Sequence, residues 1–311
     1  MSLILKRFVS VPAPVLVTLI ALAGCGGDDD ESSATGTGER IAVVATTMQL
    51  QDFARQIGGD RVQVTGILGP DNEPHEYEPT PSDAESVAAA DVVLENGANL
   101  DEWLDDLLAN AGGEATRVVA ADGIELLPTE QEGFPGDPHV WHDPDNAKRM
   151  VDNVAAGLSE ADPDGQAVYE RNAARYRRQL DDMAKRIRDQ FTAIPPEQRK
   201  LITTHDSLGY FARAYDIDQV GTVLPALTTG VEPSGQQVKE LVDQIREQNV
   251  KAIFTEEGVD SSLEQRIADE AGAQVSTSLY ADVLGRPGSG AETFIDAELI
   301  NARALRKAWG P

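Results

Sequence analysis

His75, His139 and His205 stand in three short loops that set an imidazole beside prolines and carboxylates: G-P-D-N-E-P-H-E-Y-E-P, G-D-P-H-V-W-H-D-P and T-T-H-D-S-L-G-Y-F. The chain has four histidines in 311 residues, and the fourth, His142, follows His139 by three positions. Neutral imidazole is a standard ligand for zinc and related cations. Histidines serving general surface polarity would not gather so selectively at proline-bounded turns. On spacing alone, His75 is equally well explained as a loop histidine bonded to Glu73, Glu76 or Glu78. His139 and His142 would share one face of a helical turn, where both could ligate. Glu256 and Glu257 end a strand-like run. Their carboxylates would join the metal, orient a ligand imidazole, or simply cap the next loop.

The first residues set the compartment. Lys6 and Arg7 precede an apolar stretch, residues 9–22, broken by Ser10, Pro12 and Pro14. It is too short and interrupted for a membrane helix, which takes about twenty apolar residues. Leu22-Ala23-Gly24-Cys25 follows, and Cys25 is the only cysteine. This segment resembles a bacterial lipobox, whose cysteine is lipidated and becomes the first mature residue. The alternative is an ordinary secretory signal with an incidental cysteine; the position of the sole cysteine decides for the lipobox. Residues 1–24 are therefore read as a signal peptide and 25–40 as a flexible acidic tether. The mature protein is expected outside the cytoplasm, lipid-anchored to the cell membrane, with no internal disulfide.

About 270 residues remain, enough for two lobes or one large α/β domain. The net charge of −27 argues against nucleic acid, because phosphate repels such a surface. Most of these acids have a sufficient account as a solvated surface.

Strand-like and helix-like patterns alternate. Residues 41–45 and 62–67 read as strands around a helix at 48–57. The His75 loop comes next, then a helix at 82–90 with Ser82 and Glu85 as a capping box. A strand at 91–94, a helix at 100–111 and a strand at 117–120 close this half. A helix at 144–159 leads to a longer one at 163–191, with Tyr169, Tyr176, Leu180, Met183, Ile187 and Phe191 on one apolar stripe. The second half repeats the alternation: strands at 200–204, 220–224, 252–255 and 274–277, and helices at 234–248, 262–271 and 293–309. Such alternation predicts mostly parallel sheets. In open α/β sheets, ligands bind beyond the carboxyl ends of strands, where the loops after Ile67, Thr204 and Thr277 lie. Ligands from two α/β lobes would meet in a cleft.

Five motifs in order, P-H-E-Y-E-P, D-P-H-V-W-H-D-P, Y-E-R-N-A-A-R-Y, T-H-D-S-L-G-Y-F and Y-A-D-V-L-G, make the chain resemble the zinc- and manganese-binding lipoproteins of bacterial ABC importers. The resemblance covers nearly the whole mature chain. It implies two lobes, each a mostly parallel sheet flanked by helices, joined by one long rigid helix. The corresponding boundaries here are residues 41–162, 163–194 and 195–311. It implies metal ligation by His75, His139, His205 and Asp282, with the ion held between the lobes. The family's ligand directly follows D-P, so His142 is expected behind the ligands or at the surface; Glu256 is expected to support a ligand imidazole. Three imidazoles and one carboxylate suit Zn²⁺, while Mn²⁺ prefers more oxygen. The histidine-rich loop of many zinc-binding members is missing from P-T-E-Q-E-G-F-P-G-D-P. The implied role is capture of Zn²⁺, or less favourably Mn²⁺, by a monomer that is not an enzyme, and delivery to an ABC permease and its ATPase. The competing roles are a zinc hydrolase and a surface adhesin.

Overall fold

The computed structural model describes residues 40–310. The expected signal peptide, Cys25 and the expected tether up to residue 39 lie outside the described residues. The N-terminal half alternates Ile41–Ala45 (β1), Met48–Gly58 (α1), Val62–Gly66 (β2), Pro81–Ala88 (α2), Val92–Glu95 (β3), Trp103–Ala111 (α3) and Thr116–Val119 (β4). The four strands form one parallel sheet in the order β2-β1-β3-β4. Parallel neighbours need crossovers, which the helices supply. Val43, Val92, Val93 and Leu94 are fully enclosed, as expected of a sheet covered on both faces.

Two long helices follow, Pro144–Ala161 (α4) and Gln166–Phe191 (α5). The second half contains Lys200–Thr203 (β5), Gly209–Ala214 (α6), Asp218–Thr222 (β6), Gly235–Glu247 (α7), Ala252–Ile253 (β7), Ser262–Ala271 (α8), Gln274–Val275 (β8) and Phe294–Trp309 (α9). β5 pairs with β6 and β7 with β8, all parallel. The Phe254 N–H donates to the Ile202 carbonyl at 2.8 Å and joins the two pairs. The strand order of the first sheet is thus repeated in the second.

Tyr169, Tyr176, Leu180, Met183, Ile187 and Phe191 of α5 are buried at helical spacing. Burying each of Leu180, Ile187 and Phe191 is worth about 1.5–3 kcal/mol. At 1.5 Å per residue α5 is about 39 Å long. α9 runs beside it and links the two halves. Its first residue, Phe294, meets Phe53 of α1 edge-on at 5.2 Å, and its N–H donates to the Asp52 carboxylate at 3.0 Å. Its last, Trp309, packs on Phe191 at 5.5 Å and donates to the Lys200 carbonyl at 2.8 Å. One continuous core therefore runs along α5 under both sheets.

Several boundaries differ from the sequence reading. Helix α2 begins at Pro81, not Ser82: the Asp83 carboxylate accepts from the Thr80 N–H at 2.7 Å and hydroxyl at 2.8 Å. Proline at the first helical position is pre-organised for that start. Helix α3 begins at Trp103 because Gly97, Ala98 and Asn99 all have positive φ, which turns the chain away from helix. The long helix opens with a 3-10 turn, Pro163–Gly165, before α5 proper. Strand β6 lies two residues earlier than expected and meets β5 across an irregular register at Leu201/Ile202.

Candidate metal centre

Each loop of interest leaves the carboxyl end of a parallel strand. His75 follows β2, His139 follows β4, His205 follows β5, Glu256 follows β7 and Asp282 follows β8. The two sheets present these ends to each other, and one ligand atom from each of His75, His139, His205 and Asp282 lies within 4.8 Å of all the others. His75 Nε2 is 3.2 Å from His139 Nε2 and 3.6 Å from Asp282 Oδ2. His139 Nε2 is 3.4 Å from Asp282 Oδ1, and His205 Nε2 is 3.2 Å from Asp282 Oδ2. Ligands about 2.0–2.1 Å from a tetrahedral ion would stand about 3.3 Å apart.

Second partners fix two of the imidazoles. His139 Nδ1 lies 2.7 Å from Asp137 Oδ1, and His205 Nδ1 lies 2.5 Å from Glu256 Oε2. Each carboxylate accepts a hydrogen bond from Nδ1–H, which leaves the Nε2 lone pair aimed inward. Both imidazoles are wholly buried, and the Asp282 side chain is 8% exposed. His205 Nε2 and Asp282 Oδ1 have no hydrogen-bond partner among the described residues. Buried polar atoms are rarely left so, and these converge on a point that a cation would satisfy.

The electrostatics fit the same point. Burial alone would lower the His139 pKa, but the carboxylates of Asp137 and Asp282 outweigh it and raise it. His205 is likewise raised well above its ordinary value, against burial, by Glu256 and Asp282. Burial would raise the Asp282 carboxyl, yet His205 and His139 hold it well below the usual range. In the metal-free protein, protons on the imidazoles stand where a cation would.

Four further side chains hold the loops in place, Trp141 and Tyr210 from within the motifs and Asn96 and Gln49 from outside them. Asn96, just after β3, donates to the Pro138 carbonyl beside His139 at 3.0 Å. Gln49 of α1 donates to the Asp282 carbonyl at 3.1 Å, and Trp141 donates to the Ala281 carbonyl at 3.3 Å. The Tyr210 hydroxyl donates to the Asp137 carbonyl at 2.9 Å. Asp137 was visible in G-D-P-H but had no marker separating it from other acids. Gln49 had no signal at all. His142 is buried and stands apart from the four: its Nδ1 is 2.8 Å from Glu298 of α9.

Residues 43–308 match the family of the zinc-uptake complex component A, periplasmic (ZnuA). The chain belongs to this family. The ZnuA family comprises the extracytoplasmic metal-binding proteins of ABC importers, and this chain is one of them. It is 36% identical over 283 residues to the manganese-binding lipoprotein MntA of Halalkalibacterium halodurans, covering 91% of this chain and 92% of that one. It is 30% identical over 305 residues to the iron-binding protein YfeA of Yersinia pestis, covering 97% and 95%. Among solved structures, the periplasmic zinc-binding protein TroA of Treponema pallidum superposes with a TM-score of 0.81 at 26% identity, covering 88% of this chain and all of that one. No described helix is long and apolar enough to cross a membrane.

Proposed function

We propose that this ZnuA-family protein captures one divalent transition cation through His75, His139, His205 and Asp282 and delivers it to an ABC permease and its ATPase. The observation that carries this is the convergence of three imidazole nitrogens and a buried carboxylate from both sheets, with two imidazoles backed by acids. The domain reading accompanies it: lobes 41–162 and 195–311 supply two sides of the cleft, and segment 163–194 fixes their separation. Cys25 anchors the mature chain to the membrane by lipid.

Zn²⁺ is the cation bound most tightly. Three imidazoles favour zinc, and zinc exceeds manganese at nitrogen and oxygen sites generally. A second reading, with Mn²⁺ as cargo, has its own support. Both Asp282 oxygens face imidazole nitrogens, which allows a fifth, oxygen bond, and MntA relatives are named for manganese. A zinc hydrolase would keep three protein ligands and an open position for water, whereas four residues converge here. Metal analysis of protein purified without added metal, followed by competition between Zn²⁺ and Mn²⁺, tests the assignment. One equivalent of cation with zinc displacing manganese is expected; substoichiometric binding of both would sink it.

A further inference from the structure

Asp282 has a second environment besides the imidazoles. It lines a cavity of about 60 Å³ whose walls come from the His75 loop, including Asp71 and Glu73, and from the loop after β7, including Glu256 and Glu257. A water molecule takes about 30 Å³, so the space suits a partly hydrated cation. Glu73 is half-buried, and its carboxylate accepts from the His75 N–H at 3.1 Å; Glu257 is exposed. The inner end of the cavity is the Asp282 side chain, more than nine-tenths buried, which joins this space to the imidazoles. Over this side of the cleft the Arg286 guanidinium grips the Asp71 carboxylate with both nitrogens, Nη1 to Oδ2 at 2.8 Å. These two residues belong to the loops carrying Asp282 and His75.

We propose that the cation enters and leaves through this cavity, with Glu73 and Glu257 as its first carboxylate partners and the Asp71–Arg286 pair as a strap across the mouth. This rests on the reading that His75, His139, His205 and Asp282 hold the cargo. A larger cavity of about 610 Å³, lined by Glu76, Trp103 and Glu132, reaches His75 but none of the other three. Each cavity reaches one of the four ligands, and the smaller reaches the anionic one, Asp282, which attracts an incoming cation most strongly. Acidic walls concentrate cations and speed their capture, an effect that salt screens.

The test is stopped-flow exchange of Zn²⁺ between the mature protein and a fluorescent chelator. Arg286→Ala is expected to raise the dissociation rate about two- to fivefold, the scale of an exposed ion pair. Asp71→Asn should do the same. The two variants change local charge in opposite directions, so a shared acceleration reports the strap rather than the field. Glu257→Gln should slow association at low ionic strength and leave dissociation nearly unchanged. Glu132→Gln, on the other cavity, should change neither rate. Unchanged dissociation in both strap variants, or slower association in Glu132→Gln alone, overturns the route. Equilibrium stoichiometry separates the two claims: one cation per wild-type chain with unaffected rates rejects only the route, and no bound cation rejects the ligand set beneath it.

Discussion

In the first lobe the His139 imidazole rests on Asp137, and in the second the His205 imidazole rests on Glu256, each through Nδ1. His75 and Asp282 lack that arrangement. His75 Nδ1 is buried with no partner among the described residues, and Asp282 is fixed through its backbone by Gln49 rather than through its carboxylate. Each lobe therefore contributes one imidazole set from behind and one candidate ligand without such support. On the proposed ligand set, the pair set from behind fixes where the cation would sit. The other pair is the part that can yield, because α5 and α9 tie the lobes along one core and oppose a wide hinge motion.

The largest effect separating these classes should come from deleting a ligand. His139→Ala or His205→Ala is expected to weaken Zn²⁺ binding more than about 100-fold, beyond the range typical of supporting residues, as read by chelator competition. His142→Ala should leave affinity almost unchanged. It should instead lower stability to denaturant by about 1–3 kcal/mol, because Glu298 loses a buried partner. Equal affinity losses in His139→Ala and His142→Ala would break the ligand assignment.

Removing the support comes next. Asp137→Asn and Glu256→Gln should each cost about 10–100-fold in affinity, through faster dissociation. No change in either would mean that the imidazoles need no orientation from behind.

Acid should act on the same pair. In the metal-free protein His139 and His205 titrate above their ordinary value. A raised folded-state pKa adds stability that is full below the unfolded value, about 6.5, and is lost as pH rises through the folded one. Metal needs deprotonated imidazole and acts in the opposite sense. The rise in Tm on adding zinc should therefore be small at about pH 5 and grow toward about pH 8. A rise independent of pH would contradict proton–metal competition at these residues.

The smallest effect is in dynamics. Zinc should protect the His75 and Asp282 loops from hydrogen exchange and leave α5 nearly unchanged. A large change of overall shape in solution scattering would remove the distinction between loop movement and lobe movement.

The sequence made the frame readable because local signals and burial agree. Apolar runs such as Ile41–Ala45 became strands, buried here from Val43 onward, and the stripe on α5 became the shared core. The three histidine loops stood out by composition, and Asp282 entered only through the family resemblance. What stayed hidden depended on contacts distant in the chain. Gln49 meets Asp282 across 233 positions, and nothing local marks a glutamine for that contact. The route of α9 across both halves was equally hidden, since its pattern shows an apolar face and not what covers it. The left-handed turn at Gly97–Asn99 displaced a helix start that periodicity alone had put at Leu100.

The most direct test of the centre is zinc K-edge X-ray absorption on the mature protein loaded with one equivalent of Zn²⁺. Three imidazole nitrogens and carboxylate oxygen at about 2.0–2.1 Å are expected, with one imidazole lost in His139→Ala and none lost in His142→Ala. Two or fewer imidazoles in the wild type, or an unchanged spectrum in His139→Ala, would contradict the four-residue site.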